Sequence, residues 1–308
     1  MKRKTLAIVI PAYKHQYLRE TLESIANQTC KDFNLYIGDD ASPNPIGKIV
    51  EEFRDRLDFV YKRFDKNLGA TSLVGHWNRC IEMTQGEEWL MVLGDDDYLS
   101  ENFVEVFYSN LPLIEEKALN VVKFSLQVVN EDSKPISKKY EPPVFEKSTD
   151  SFFRMLNKET HSSLSEYVFK RTAFQKHGFK EFPLAWHADD LAWLEFSEFG
   201  NIYSVNDAVV YVRKTTISIT GQTDKMYQKN QASFLFFKKL AKDYFCMFTL
   251  EQKEVLLLAF EFWTFKQNQF SFENFIIVFL PFLNLFGLLR MLKFSFRFFQ
   301  EKLTRKFI

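Results

Sequence analysis

The 308-residue sequence predicts an α/β fold: a mainly parallel, doubly wound sheet flanked by helices, with a helical C-terminal extension. Three observations predict it. Over the first hundred or so residues, short β-branched runs alternate strictly with helical stripes. The polar residues that punctuate this alternation follow directly after the apolar runs, beyond the strand ends where such sheets bind ligands. From about residue 223 onward only helical periodicity remains.

"LAIVI" is the first buried strand. "HQYLRETLESIANQT" then places Leu18, Leu22, Ile25 and Ala26 on one helical stripe. "FNLYIG" is a second strand, and "PIGKIVEEFRDRL" puts Ile46, Ile49, Val50, Phe53 and Leu57 at helical spacing. "DFVYKRF" is a third strand. "TSLVGHWNRCIEMT" is a third helix, closed by Gly86 in the C-cap manner. "EWLMVLG" is the fourth strand. Past residue 103 the pattern loosens: "VVKFSLQVV" is a strand and "NEDSKPISKKYEPPVF" a polar, proline-bearing loop. "SSLSEYVFKR" and "IYSVNDAVVYVRK" are further strands around a helix at "DDLAWLEFSEF". Thr249 with Gln252 makes a capping box before "VLLLAFEFW".

Composition narrows the classes. Hydrophobic residues make up 46%, enough for a sizeable core. The formal net charge of zero argues against a general nucleic-acid binder. The cysteines, Cys30, Cys80 and Cys246, are scattered without metal spacing, which suggests a reducing compartment. The apolar run after the basic N-terminus is too short for a signal segment. No G-x-G-x-x-G and no Walker A loop is present, which disfavours a dinucleotide dehydrogenase or P-loop enzyme.

The stretch "EWLMVLGDDDYLSENF" ends a buried strand on three consecutive carboxylates, Asp95, Asp96 and Asp97. Like charges this close raise one another's energy unless a positive group joins them. One reading is a solvated turn, with Ser100 capping a helix that starts at Glu101. The other is a divalent cation held by oxygens, Mg²⁺ or Mn²⁺, completed by substrate phosphates such as those of a nucleoside diphosphate.

"LAIVIPAYKHQYLRETLESIANQTCKDFNLYIGDDAS", then "KNLGA", then "LMVLGDDDYLSENF" resembles an inverting family 2 glycosyltransferase of the GT-A fold, of the bacterial surface-glycan type. The resemblance is strong over roughly residues 4–110 and looser over 180–220. It implies a GT-A catalytic domain, taken as 1–222; residues 223–308 read as a helical extension, expected from its own pattern to be membrane-associated. It implies that Pro11, Ala12 and Tyr13 line the base and ribose, and that Asp40 with Asp39 accepts a hydrogen bond from the base. That suits a UDP or dTDP donor; a simple turn before Pro43 is the plainer account of the pair. Asn67 and Gly69 would lie under the diphosphate. Asp96, then Asp97, would hold the metal. Relatives often carry Asp-x-Asp-Asp, and here Gly94 stands at the first acid, so that Asp95 takes over the ribose or metal contact or the metal is held more weakly. Asp190, or its neighbour Asp189, would be the base that deprotonates the acceptor hydroxyl; a helix N-cap is the alternative. Arg213 would stand near the diphosphate, or else in a solvated basic loop.

The implied activity is transfer of one sugar from a nucleotide-diphosphate donor to a glycan or lipid-linked acceptor in surface polysaccharide, capsule or lipopolysaccharide synthesis. The implied place is cytoplasmic, peripheral at the inner face of the cell membrane. The competing readings are a nucleotidyltransferase, whose Gly-rich basic loop "PAYKHQY" lacks, and a non-catalytic nucleotide-sugar-binding membrane protein. In the tail, Leu285, Leu289, Leu292, Phe296, Phe299 and Leu303 recur at helical spacing, with Arg290, Lys293 and Arg297 on other faces. That pattern predicts an amphipathic helix on an anionic membrane surface. A core helix pair, or a re-entrant hairpin about Pro281, would explain the same residues.

Overall fold

The computed structural model describes residues 5–216, 218, 221 and 224–304. The strands are β1 (Leu6–Ala12), β2 (Phe33–Asp39), β3 (Phe59–Arg63), β4 (Trp89–Val92), β5 (Tyr98–Leu99), β6 (Val121–Val129), β7 (Pro135–Tyr140), β8 (Phe145–Lys147), β9 (Tyr167–Lys170) and β10 (Asn201–Arg213). They form one sheet in the order β3-β2-β1-β4-β9-β6-β10-β5, with β7 on β6 and β8 on β10. β3, β2, β1 and β4 are mutually parallel, as are β6 and β10. β9 is inserted antiparallel between β4 and β6. Leu6 to Ile10 are fully buried, which is why β1 reads as an unbroken apolar run.

The crossover helices α1 (Leu18–Ala26), α2 (Ile46–Glu51) and α3 (Leu73–Ile81) connect the parallel strands, and α4 (Phe103–Glu116) leads into β6. α1 buries the four predicted residues Leu18, Leu22, Ile25 and Ala26. α2 is shorter than its apolar pattern, because Phe53 and Leu57 are buried from the turns that follow it. α3 is capped by Ser72, whose Oγ accepts from Gly75 N at 2.7 Å. It ends at Ile81, so Gly86 (φ 93°) does not cap it but serves the turn into β4. α4 begins at Phe103 with Asn102 as its N-cap. Ser100 instead accepts from Val209 N at 3.0 Å, tying the turn to β10. The polar stretch read as a loop carries β7 and β8. Their side chains are mostly exposed, with Pro135 at the first position, so these edge strands lack an apolar alternation.

The later helices are α5 (Ser148–Leu156), α6 (Arg171–His177), α7 (Ala188–Phe196), α8 (Met226–Asp243), α9 (Leu250–Lys266), α10 (Phe272–Pro281) and α11 (Leu288–Thr304). The chain divides into two compact units, Met1–Glu181 with Ala188–Gln222, and Phe182–His187 with Thr223–Ile308. In the second unit Thr249 and Gln252 form the predicted capping box, with bonds of 3.3 and 3.1 Å.

α11 carries two apolar stripes, and the structure buries the one the spacing did not single out. Met291, Phe294 and Phe298 face inward. The Phe298 ring lies 5.3 Å from Phe270 and 5.1 Å from Phe275. The predicted stripe of Leu285, Leu289, Leu292, Phe296, Phe299 and Leu303 faces outward, with Phe296 71% exposed. The basic side stays about half exposed, but its arginines are paired. Arg290 pairs with Glu254 at 2.5 Å, and Arg297 forks onto Glu261 at 2.6 and 2.8 Å. The two pairs have equal spacing on both helices, so α9 and α11 run side by side in the same direction.

This assignment orders two neighbouring phenylalanines. Phe294→Ala should destabilise the protein by about 3–5 kcal/mol, whereas Phe296→Ser should stay within about 0.5 kcal/mol of wild type. Urea unfolding of both variants reads the difference, and the reverse order would mean that the other stripe is the buried one.

Candidate active site

β1, β2 and β4 are parallel and in register, so the segments after them share one rim of the first unit. The acid turn at Gly94–Asp97 is tied to both neighbours. Asp95 Oδ2 accepts from Tyr13 N at 2.8 Å and Lys14 N at 2.6 Å, joining the end of β1 to the end of β4. The positive group among the acids is Lys14. Its Nζ lies 3.2 Å from Asp95 Oδ1 and also bonds Asp96 Oδ2. Burial alone would lower the Lys14 ammonium, but the Asp95 and Asp96 charges raise it above the usual lysine range.

Asp97 turns inward. Its Oδ1 accepts from Arg213 N at 2.8 Å and its Oδ2 from Ser165 Oγ at 2.5 Å. Burial, then the Asp96 charge, pushes its carboxyl up to about 7. Burial also raises Asp96, against the pull of Lys14. Expected as a second metal ligand, Asp97 is an internal anchor of the turn.

Arg213 also differs from its expected place. Its side chain is fully buried, neither solvated nor open to a diphosphate. A guanidinium has five N–H donors, and all five are taken. Nε donates to Asp96 O at 3.0 Å. One terminal nitrogen donates to Asn130 O and Glu131 O at 2.9 and 3.0 Å. The other bonds Glu20 and Ser133 Oγ, the latter at 2.9 Å. The guanidinium carbon lies 4.3 Å from the centre of the Tyr17 ring. Arg213 therefore holds the acid turn from behind.

Asp39 and Asp40 are buried and satisfied within the protein. Asp39 accepts from Ser42 N, Tyr61 OH and Arg63, each at 2.8 Å. Asp40 accepts from Leu68 N and Gly69 N at 2.8 Å and bonds Arg79. All four oxygens meet protein donors, so in this arrangement the two carboxylates shape the rim. Gly69 is required for the approach, since a Cβ there would lie 2.6 Å from Asp40 Oδ2. Asn67 Oδ1 accepts from Ala70 N at 2.9 Å and folds the same loop. Pro11 and Ala12 are inside or near the sheet, and Asp40 N donates to Ala12 O at 2.9 Å. The Tyr13 ring remains 39% exposed on the rim.

Asp189 and Asp190 stand in the first turn of α7, where helix amides favour negative charge. Burial, then the Asp190 charge, raises the Asp189 carboxyl well above the usual range. Asp190 lines a small cavity with Ser148, Ser151, Ser162, Tyr167 and Trp193. β9 links this place to the acid turn, because Ser165, on Asp97, is two residues from Tyr167. His187 stacks on Phe236 at 4.5 Å and shares a 2.9 Å bond with Ser233 inside the second unit. That packing gives it a structural role.

The donors do not fit a divalent cation as they stand. Among the described residues no group of three His, Cys, Asp or Glu side chains converges as a metal site. Both Asp97 oxygens are taken, and Lys14 lies on the remaining acids. Sequence reading passed over Lys14, Ser165 and the buried pair Lys123 and Glu166. A lysine inside the apolar run "VVKFSLQVV" was the available signal for that pair.

The sequence profile described as glycosyl transferase family 2 matches residues 7–182, more than half of the chain. The chain belongs to glycosyl transferase family 2. Among curated relatives, the poly(ribitol-phosphate) β-N-acetylglucosaminyltransferase TarS of Staphylococcus aureus is 26% identical over 125 residues, 37% of this chain and 21% of that protein. The chain thus matches only about a fifth of that relative's length. The solved structure of S. aureus TarS 1–349 has a TM-score of 0.60 at 17% identity, covering 91% of this chain and 80% of that one. Its complex with UDP-GlcNAc gives 0.56 at 13% identity, covering 98% and 91%. A mannosyltransferase from Pyrobaculum calidifontis, solved with GDP-Man and Mn²⁺, gives 0.53 at 14% identity, covering 90% and 73%. The family 2 chain shares with them the GT-A arrangement of a central sheet flanked by helices.

Glu166 gives the site a pH signature. Its oxygens accept from Ser163 N at 2.9 Å, and burial, opposed by Lys123, pushes its carboxyl from 4.5 up to about 7. The folded state then keeps a proton that the unfolded state releases above about pH 4.5. Stability from this group is complete below that pH and is lost as pH rises through 7, with a slope of at most about 1.4 kcal/mol per unit. Glu166→Gln should flatten this decline in urea midpoints measured from pH 4.5 to 7. An unchanged decline would show that Glu166 is ionised in the fold.

Proposed function

We propose that the chain transfers a single sugar, with inversion, from a nucleoside-diphosphate sugar to an acceptor hydroxyl in surface-glycan synthesis. The observation that carries the reading is the shared geometry of one unit. The ends of β1, β2 and β4 meet on one rim, and a carboxylate pair opens α7 at the far end of the β9 link. A uridine or thymidine diphosphate donor is favoured, because a structural neighbour was solved with UDP-GlcNAc. A glycan or lipid-linked acceptor is in keeping with the polymer named for TarS.

In this reading the acceptor oxygen attacks the anomeric carbon opposite the diphosphate, and one carboxylate takes its proton. Burial, then the Asp190 charge, holds the Asp189 carboxyl well above the usual range, and Asp190 is the one that lines the small cavity. In this reading Asp190 is the base. Asp190→Asn should cut turnover by about 10² or more with donor affinity nearly unchanged. Steady-state rates and titration of a nucleotide sugar measure the two. Full turnover in that variant would reject Asp190 as the base. A nucleotidyltransferase or a non-catalytic binder would be recognised by products without a glycosidic bond, or by none.

In the same proposal, the chain binds the inner face of the cell membrane through α11. No helix among the described residues is long and apolar enough to cross a membrane. The outward stripe of α11 offers leucine and phenylalanine for burial at the interface. With Arg290 and Arg297 paired to glutamates, Lys293 and Lys302 carry the attraction to anionic lipid. Sedimentation with phosphatidylserine-containing vesicles should persist at high salt and be lost in a Leu292→Ser, Phe296→Ser double variant. Release by salt alone would make the contact electrostatic, and undiminished sedimentation of the variant would place it elsewhere.

A further inference from the structure

We propose that the Lys14 ammonium takes the place of a divalent cation and neutralises the diphosphate of the donor as it leaves. The inference rests on the nucleoside-diphosphate-sugar reading above and names the group that answers the leaving charge.

Four observations converge on Lys14. The place between the acids is held by the ammonium itself: Lys14 Nζ lies on Asp95 Oδ1 and Asp96 Oδ2. Asp97 gives both oxygens to Arg213 N and Ser165 Oγ, and Asp95 gives Oδ2 to two backbone amides. A side chain at Gly94 would also crowd the acids of the turn and require them to shift. A Cβ there would lie 2.9 Å from Asp97 Oδ2 and 3.2 Å from Asp96 Oδ1. Arg213, beside the turn, has no free donor. Among the described residues that bond the acid side chains of the turn, Lys14 is a partly exposed cation, with its side chain 26% accessible and its backbone N fixed on Asp95. It is the second residue after β1, near the strand end where ligands of such sheets lie.

The chemistry balances without a metal. The bond from the anomeric carbon to the diphosphate oxygen breaks, and its electron pair stays on that oxygen. The acceptor oxygen forms the new bond to carbon, and its proton goes to Asp190. Lys14 turns from Asp96, keeps Asp95, and donates a charge-assisted hydrogen bond to the oxygen that gains charge. Asp95 and Asp96 hold the ammonium in place between turnovers.

The test is calorimetric titration of UDP into the full chain, with and without EDTA, for wild type, Lys14→Met and Lys14→Arg. Wild-type affinity should be unaffected by EDTA. Lys14→Met should weaken binding by about tenfold or more, Mn²⁺ should not restore it, and Lys14→Arg should retain most of it. Electron paramagnetic resonance of Mn²⁺ should show no ion bound with UDP. The proposal is overturned if EDTA abolishes wild-type binding, or if Lys14→Met with Mn²⁺ binds UDP as tightly as wild type. It is equally overturned if a misfolded Lys14→Met is accompanied by a folded Lys14→Arg that needs Mn²⁺. If UDP, dTDP and GDP all fail to bind wild type in either condition while the chain is folded, the nucleotide-sugar reading fails with it. EDTA-sensitive binding rejects the role of Lys14 alone.

Discussion

The site depends on burying a carboxylate beside two others at the end of β4. Asp97 can sit inside the protein only because Arg213 N and Ser165 Oγ meet its two oxygens. Removing a charge from water is costly unless it is paired or hydrogen-bonded. Bonds of the acid turn tie three parts of the sheet together: β10 through Arg213, the residues leading into β9 through Ser165, and the segment after β1 through the amides that Asp95 accepts. Arg213 then covers the turn with five donated bonds, two of them fixing the backbone at Asn130 and Glu131. The rim is thus assembled around the acids, and its more exposed side is left to Tyr13 and Lys14.

The parallel half of the sheet was legible because its strands are buried on both faces and read as continuous apolar runs. α1 was equally legible because one stripe of four residues faces the core. β7 and β8 were not, since edge strands with exposed lysines and glutamates have the composition of a loop. In the site, sequence located Asp95, Asp96 and Asp97 but could not tell which way each points. Three identical residues in succession carry no sign of direction; Ser165 and Arg213, 68 and 116 residues away from Asp97, set it. The same limit applies to Asp39 and Asp40, whose donors include β3, the loop before α3 and Arg79 of α3. Lys14 went unread because a lone lysine after a strand is ordinary on a surface.

The second unit shows how periodicity can be right about a helix and wrong about its face. α11 is apolar on two sides. Spacing singled out the stripe with more members, and burial follows the stripe that meets Phe265, Phe270 and Phe275. Arg290 and Arg297 then lie toward α9, where Glu254 and Glu261 meet them. What remains exposed is a mainly apolar strip, and an exposed strip of this kind calls for a lipid surface or another covering partner.

The central claim is that the acid turn presents Lys14, rather than a bound cation, to the donor diphosphate. Crystals grown with UDP and Mn²⁺, with anomalous data collected at the manganese edge, test it most directly. The account predicts a diphosphate oxygen about 3 Å from Lys14 Nζ, with Asp97 still on Arg213 and no manganese peak at Asp96. A manganese peak bridging Asp96 and the diphosphate, with Lys14 turned away, would contradict it.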